Sequence, residues 1–409
     1  MHGPAIDSES ESSGVSRSVV SMLISVFTPA QTTRFLPNAY ASLRDQTYRN
    51  WEWVLLPNGQ ATKEEIAAQL PADDRIRIVG NLGGCDAPGV GFLKRRACEE
   101  SRGEILLELD HDDLLMPNAL SAVAEAFTDP SIDFVYSNCA EVNMDWSSRR
   151  FNEAYGWIYR SGFAFGHPVD ECQSPAPLPQ NLSRIWFAPD HLRAWRSESY
   201  WLCGGHDDEL GIADDHDLIC RTYLSGTLRH IDELLYIRRV TGENTWLARN
   251  AEIQAQQWQN YERYKERLAT RWAEDRGLVF LVVDCSEVEY LDMIEDDSVG
   301  VIRAGNLANM KDPIAGMNQI HRVLAHGGFF FSTTPSTDGR GAFQDPTHSS
   351  FWNQNSFQYY TKAPMRAYLP NATSRFQEVR LRTIGEVPYV QADLIALKDG
   401  PRFHGLQEI

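Results

Sequence analysis

The chain has 409 residues, of which 43% are hydrophobic and 23% charged, and its formal net charge is −18. This length exceeds one ordinary hydrophobic core, so we predict a globular protein of two domains. The acidic balance disfavours a broad nucleic-acid-binding surface, because phosphate binding is largely electrostatic.

Location is predicted from the cysteines and from the lengths of the apolar runs. The seven cysteines include no CxxC pair, which favours reduced thiols and the cytoplasm. No apolar run approaches the roughly twenty residues of a membrane-spanning helix, so we expect no span. The acidic, serine-rich residues 1–17 are predicted to be a disordered tail rather than a signal peptide.

Strand and helix patterns alternate through the first part of the chain. The predicted strands are 19–27, 51–56, 75–79, 104–109 and 132–136, and the predicted helices are 35–46, 63–70, 91–101 and 117–127. This alternation predicts a mostly parallel α/β sheet with helices on both faces. Ligands of such sheets bind beyond the carboxyl ends of the strands, where Asn58 and Asp110 both fall.

The pattern changes after the fifth strand. Residues 155–179 are rich in Gly, Pro and aromatics and are predicted to be a long loop, followed by a short strand at 185–187 and a helix at 213–225. Residues 253–272 have a helical apolar face, formed by Ile253, Trp258, Tyr261, Tyr264, Leu268 and Trp272. We predict one domain over 18–250, a linker helix over 251–275 and a second domain over 276–409. The second domain shows strands at 278–283, 299–303 and 329–332 and a helix at 312–323.

Three acids, Asp110, Asp112 and Asp113, follow the predicted fourth strand. Extended chain alternates sides, so Asp110 and Asp112 point the same way. Two close carboxylates repel unless a cation or a donor neutralises them. Mg²⁺ and Mn²⁺ prefer oxygen ligands and often bind a few carboxylates together with substrate phosphates. The cluster therefore predicts a metal-binding site that would hold a sugar diphosphate. The alternative is a solvated turn or a helix cap.

Four blocks in this order resemble the family 2 glycosyltransferases, which have the GT-A fold. The blocks are ISVFTP at 24–29, LRDQTY and WEWVL at 43–55, GEILLELDHDD at 103–113, and GGHD with DDHDL at 204–218. Their order and spacing fit over residues 18–250. The resemblance therefore implies an enzyme that transfers a sugar from a nucleotide-sugar donor.

The resemblance also implies roles for individual residues. The residues implied to contact the nucleotide sugar are Thr28, Pro29, Asn58, Lys94, Asp110, His111 and Arg238. The implied metal ligands, for Mn²⁺ or Mg²⁺, are Asp110, Asp112 and His191. The implied acceptor contacts are Asp214, His191 and Trp195. Asn58 stands where the family usually has an aspartate that reads the base, so a UDP-sugar is the first expectation without being fixed. Many relatives have a histidine where Thr241 stands, which leaves the third metal ligand open.

Asp215 stands at the position of the family's general base. In an inverting transfer the acceptor hydroxyl attacks the anomeric carbon, and a carboxylate takes its proton. Repulsion among Asp214, Asp215 and Asp217 could raise one pKa toward a useful value. The alternative is that these acids form only the favoured acidic first turn of a helix.

Residues 278–400 resemble the second half of a class I methyltransferase. The segments on which this resemblance rests are DSVGVIR at 297–303, IHRVLAHGGF at 320–329, PSTDGRG at 335–341 and QDPTH at 344–348. The glycine-rich turn that would hold S-adenosylmethionine is missing, so we expect no binding of this cofactor and no methylation. Asp345 and His348 are then packing residues. The expected roles of the domain are scaffold, homodimer contact or acceptor docking.

The sequence as a whole predicts a metal-dependent inverting glycosyltransferase that acts on a hydroxyl-bearing acceptor, with a glycan as the generic expectation. Three alternatives remain at this level. They are a glycosyltransferase acting on a hydroxylated base in DNA, a bifunctional glycosyltransferase and methyltransferase, and a non-catalytic binding module.

Overall fold

The computed structural model describes residues 21–80, 89–400 and 403–405. The predicted tail and the start of the predicted strand 19–27 lie outside these ranges. The first part contains strands β1 (Ile24–Ala30), β2 (Trp51–Pro57), β3 (Ile76–Ile78), β4 (Ile105–Glu108), β5 (Leu114–Leu115), β6 (Phe134–Asn143), β7 (Tyr159–Ala164), β8 (His167–Cys172), β9 (Arg193–Arg196) and β10 (Leu228–Val240). Its helices are α1 (Leu36–Arg44), α2 (Lys63–Gln69), α3 (Val90–Glu99), α4 (Ala119–Ala126), α5 (Pro179–Leu182), α6 (Ser197–Leu202) and α7 (Asp214–Ser225).

The first sheet has the order β3-β2-β1-β4-β9-β6-β10-β5. Strands β3, β2, β1 and β4 run parallel to one another, as the alternation predicted. Strand β9 is antiparallel to both neighbours, and β6 and β10 are again parallel. All residues of β2 are buried, because a strand inside a sheet covered on both faces needs apolar side chains on both sides.

The predicted loop at 155–179 is wrong in part, since β7 and β8 form an antiparallel hairpin there. Phe165 and Gly166, at the turn, both have positive φ. Ala164 and Val169 pack into a small core under the hairpin, whereas Phe163 and Phe165 are exposed. Aromatic residues on the outer face hide the alternation that normally indicates a strand. The predicted strand at 185–187 is a turn instead.

The second part begins with the long helix α8 (Thr245–Glu274). It continues with β11 (Val279–Asp284), β12 (Val299–Gly305), α9 (Pro313–Val323), β13 (Leu324–Pro335), α10 (Gly341–Gln344), α11 (Gln354–Thr361), α12 (Ala363–Arg366), β14 (Phe376–Ile384) and β15 (Tyr389–Ala396). The second sheet has the order β11-β12-β13-β15-β14. Its first three strands are parallel, and β15 is antiparallel to both neighbours.

Helix α8 packs against both parts of the chain. The predicted apolar face is confirmed, with Tyr261, Tyr264 and Trp272 buried in a core that also contains residues of both sheets. Lys265 binds Asp393 of β15 at 2.7 Å. The helix begins earlier than predicted and is interrupted at Arg249, whose φ and ψ are non-helical. No helix in the described ranges is long and apolar enough to cross a membrane.

His321, in the last turn of α9, predicts a pH dependence of stability. Burial lowers the pKa of His321 to about 4, although its contact with Leu397 O opposes this shift. The unfolded chain has a histidine pKa near 6.5 and therefore binds the proton more tightly. The stabilising contribution is present above pH ~6.5 and is lost as the pH falls toward 4.

We expect His321→Gln to reduce the loss of unfolding free energy between pH 7 and 4 by on the order of 2 kcal/mol. Glutamine keeps a donor for Leu397 O but does not titrate. Urea unfolding of both proteins at the two pH values measures the difference. The same pH dependence in both proteins would contradict a buried neutral His321.

Candidate active site

A cavity of about 510 Å³ opens at the carboxyl ends of the parallel strands. Pro29 of β1, Asn58 after β2 and Asp110 after β4 line it, together with Asp215 of α7 and Arg238 of β10. The sequence placed Asn58 and Asp110 beyond strand ends, and the structure brings them into one cavity. Because of the strand order, Asn58 lies on one side of Asp110 and Arg238 on the other.

Thr28 and Pro29 have different positions, although both belong to β1. Pro29 lines the cavity. Thr28 is fully buried, and its hydroxyl donates to Leu109 O at 2.6 Å and accepts from Trp53 Nε1 at 2.9 Å. The structure therefore does not bring Thr28 to the cavity wall. Its side chain instead fastens β1 to the turn that carries Asp110.

Of the three carboxyl groups in the acidic turn, those of Asp110 and Asp112 line the cavity, whereas that of Asp113 has a structural role. Asp113 accepts from Tyr236 Oη at 2.9 Å and from Arg239 N at 2.7 Å, and burial and Asp112 raise its pKa well above the usual range. Asp112 lines the cavity and accepts through Oδ2 from Thr241 Oγ1 at 3.3 Å and Asn244 Nδ2 at 3.2 Å. Burial raises the pKa of Asp112 as well. The side chain of Asp110 is 41% exposed.

The described residues also contain a group with metal-ligating atoms within 4.8 Å of one another, namely Glu108, Asp110 and His191. The sequence had combined Asp110 and His191 with Asp112, whose oxygen is turned toward Thr241 and Asn244. Sequence reasoning missed Glu108, although a carboxylate inside the apolar strand ILLEL is itself an unusual signal, because unpaired charges are rarely buried.

Glu108 is already surrounded by cationic side chains. Its carboxylate lies 2.5 Å from Lys94 Nζ, 3.4 Å from His191 Nε2 and 3.6 Å from Arg193 Nη1. Burial would raise the pKa of Glu108, but Lys94 and His191 outweigh it and hold that pKa well below its usual range. In the described ranges, neither Asp110 nor Asp112 forms an ion pair with a lysine or arginine. Among the described residues, the ion pairs at positions 110 and 112 are thus limited to histidine contacts of 4.0 Å.

His191 is buried among three carboxylates. Its ring nitrogens lie 3.5 Å from Asp190 and 4.0 Å from Asp110, in addition to the Glu108 contact. Burial and Arg193 lower the pKa of His191, but Glu108 and Asp190 outweigh them and raise it to about 9. His191 is thus ion-paired with Glu108 and Asp190, and its distance to Asp110 also keeps it in the group of possible metal ligands.

Asp214 and Asp215 begin α7 and differ in their partners. Asp215 accepts from Arg193 Nη1 at 2.9 Å and from His216 N at 2.8 Å. Burial would raise its pKa, but Arg193 and Lys94 lower it below the usual value. Burial raises the pKa of Asp214 to about 6, despite Lys94 at 3.6 Å. The raised pKa that the sequence anticipated in this cluster thus belongs to Asp214, and its main cause is burial.

Trp195 does not lie where the sequence implied an acceptor contact, whereas Arg238 lines the cavity but is engaged by carboxylates. Trp195 is 1% exposed, lies in β9 and donates from Nε1 to Thr222 Oγ1 at 3.1 Å, so it does not reach the cavity. Arg238 lines the cavity, but its guanidinium binds Asp190 at 2.9 Å and Glu141 at 2.7 Å. Two carboxylates leave this cation little capacity for a diphosphate.

Two further residues that the resemblance implied as contacts of the nucleotide sugar do line the cavity. His111 and Lys94 line the cavity, and Lys94 is engaged by Glu108 and Asp214. Arg34, which sequence reasoning missed, also lines it and forms an exposed ion pair with Glu243 at 3.6 Å. Trp186, Phe187 and Trp246 add an aromatic wall on the Arg238 side.

An acidic cavity at the carboxyl ends of a mostly parallel sheet places this chain in the class of α/β proteins that bind a ligand at that edge. Comparison with known proteins narrows this class. Residues 25–181 match the sequence model of glycosyl transferase family 2. Residues 25–181 of this chain are therefore similar to the family 2 glycosyltransferases.

Some relatives with similar regions are named as glycosyltransferases. Chondroitin synthase of Escherichia coli is 22% identical over 227 residues, which is 54% of this chain and 30% of that protein. The enzyme WfgD of E. coli, a UDP-Glc:alpha-D-GlcNAc-diphosphoundecaprenol beta-1,3-glucosyltransferase, is 25% identical over 122 residues, covering 30% of this chain and 47% of that protein. S. aureus TarS 1-349 in complex with UDP-GlcNAc aligns with a TM-score of 0.45 and 14% identity over 63% of this chain and 72% of that chain. The chain thus spans less than half the length of these two curated relatives.

Proposed function

We propose that this protein is an inverting glycosyltransferase that transfers a sugar from a nucleoside diphosphate sugar to a hydroxyl group, with a divalent cation held by Asp110 and Asp112. The observation that carries the proposal is a single cavity that joins Asp110 and Asp112, which have no lysine or arginine partner among the described residues, to the buried, arginine-held Asp215 at the start of α7. The family 2 match over residues 25–181 supports the donor class.

The chemistry of Asp110 and Asp112 fits a hard divalent cation. Burial raises the pKa of Asp112, so the protein alone does not fully stabilise its charge, and oxygen ligands suit Mg²⁺ and Mn²⁺. Thr241 and Asn244 fix the Asp112 carboxylate by hydrogen bonds, and such second-layer contacts orient ligands. When bound, the ion would screen charge that builds on the leaving diphosphate.

Asp215 is the proposed general base. Arg193 donates to Oδ2 and the backbone of His216 donates to Oδ1, so both oxygens are held in one orientation. The lowered pKa keeps the group ionised at neutral pH, as a proton acceptor must be. Asp214 and His191 line the same cavity and are proposed to contribute to the acceptor side through this charged network rather than as metal ligands.

A UDP-sugar donor and a glycan acceptor are proposed from the resemblance and from the activities of relatives such as WfgD. Asn58 can donate to and accept from a base edge through its amide, so it does not by itself select uracil. The net charge of −18 disfavours a DNA acceptor, and we propose a hydroxyl-bearing glycan.

The second domain is proposed to be a scaffold without methyltransferase activity. Its antiparallel end, in which β15 is inserted between β13 and β14, supports the resemblance to the second half of a methyltransferase. The domain also shares a continuous core with the catalytic part through α8. A calorimetric titration in which S-adenosylmethionine binds saturably would contradict the scaffold role.

A donor screen tests the proposed function. We expect nucleotide release from one nucleoside diphosphate sugar among UDP-, GDP-, CDP- and dTDP-sugars in the presence of Mn²⁺ or Mg²⁺, and its loss when EDTA removes the cation. EDTA supplemented with excess Mn²⁺ is the matched control and should restore release. Release that is unaffected by EDTA would refute the cation-dependent mechanism, and no release with any donor would refute the enzyme function.

A further inference from the structure

The aromatic wall of the cavity lies on the side away from the nucleotide end. Strands β1 and β2, which carry Pro29 and Asn58, lie on one side of β4 in the sheet, and β10 lies on the other. Phe187 and Trp246 line the cavity next to Arg238 of β10. A donor whose nucleotide lies over β1 and β2, with its diphosphate at Asp110, leaves this wall for the acceptor.

The aromatic wall contacts two arginine side chains that are themselves ion-paired. Arg238 lies 5.8 Å from the Phe187 ring centre and 5.5 Å from that of Trp246, within the range of cation–π attraction. Arg149 lies 5.4 Å from the Trp246 ring. Both arginines bind the carboxylate of Glu141, at 2.7 and 3.4 Å. The shared carboxylate ties both arginines together beside the indole, and Trp246 itself lines the cavity.

Phe187 packs against two further aromatic rings. Trp157 and Phe151 stack on it with centroid distances of 5.8 and 5.4 Å. Trp246 differs from these packed rings in one respect, since its indole Nε1 is buried without a hydrogen-bond partner among the described residues. A tryptophan N–H usually finds a partner when it is buried, so the polar edge of this indole is unsatisfied in the structure.

We propose that Trp246, with Phe187 beside it, is the platform on which the ring of an acceptor pyranose stacks before Asp215 takes its hydroxyl proton. This inference rests on the proposed glycosyltransferase function. The face of an aromatic ring is electron-rich, and the C–H bonds on one face of a pyranose are polarised toward it. An acyclic polyol with the same hydroxyl groups has no such face and would not bind there.

Saturation-transfer NMR on the full chain with UDP and the diamagnetic cation Mg²⁺ tests the platform. The probes are the methyl pyranosides of glucose, galactose, mannose and N-acetylglucosamine, with sorbitol as the acyclic comparison. We expect at least one pyranoside to receive saturation at its C–H face and sorbitol to receive none. Trp246→Ala should lower the affinity for that pyranoside at least tenfold, and Trp246→Phe should retain part of this affinity.

Trp201→Ala is the matched control, because Trp201 is also half-buried and also faces an arginine, Arg95, at 5.4 Å, but does not line the cavity. It should bind the pyranoside like the unmodified protein. Equal pyranoside binding by the Trp246→Ala protein, weaker UDP binding in place of weaker pyranoside binding, or no binding of any pyranoside would overturn the inference. In each of these cases, donor turnover and UDP binding by the unmodified protein would leave the proposed function standing. An unmodified chain that binds no UDP would refute the proposed function itself.

Discussion

Replacing Asp215 by asparagine is expected to lower the transfer rate by about 10²- to 10⁴-fold, the usual contribution of a general base. Asparagine keeps the shape of the side chain and can still accept from Arg193, but it cannot take a proton. Donor binding should remain, because the nucleotide end of the cavity is built from β1 and β2. Steady-state nucleotide release and calorimetric titration with the nucleotide separate these two effects.

Asp208→Asn provides the control for that experiment. Asp208 is an exposed acid in the loop before α7 and does not line the cavity, so its substitution should leave turnover unchanged. A similar loss in both proteins would indicate a general effect of negative charge near the site. Full activity in the Asp215→Asn protein would remove Asp215 as the base.

Replacing Asp112 by alanine should reduce both turnover and nucleotide affinity. A bound divalent cation supplies several kcal/mol of charge stabilisation, and each 1.4 kcal/mol corresponds to about tenfold in rate. We therefore expect at least about a hundredfold loss of turnover. Titration of UDP in the presence and absence of Mn²⁺ should show that the metal-dependent part of the affinity has disappeared.

Asp113→Asn is the matched control, because Asp113 is the neighbouring buried acid but binds Tyr236 and the backbone of Arg239 rather than facing the cavity. Its raised pKa already favours an uncharged carboxyl, which asparagine resembles. This variant should keep the metal-dependent binding of UDP. If the Asp112→Ala protein also keeps it, the cation is not held at this turn.

Local pattern was sufficient for much of the fold. The parallel order of β1, β2 and β4 and the apolar face of α8 were predicted, because hydrophobic periodicity is a property of neighbouring residues. The hairpin of β7 and β8 was missed because its exposed face carries Phe163 and Phe165. An aromatic residue alone does not reveal which side of a strand it occupies.

The sequence by itself determined that a cavity with Asn58 and Asp110 lies at the carboxyl edge of a sheet, since strand direction places both residues at that edge. Only the tertiary structure decided which charges are neutralised there. Lys94 meets Glu108 and Asp214, and Arg238 meets Glu141 and Asp190. These partners are far apart along the chain and carry no common motif. Burial in a low-dielectric interior makes such pairings obligatory, but which residues pair is fixed by how the strands and α7 pack together.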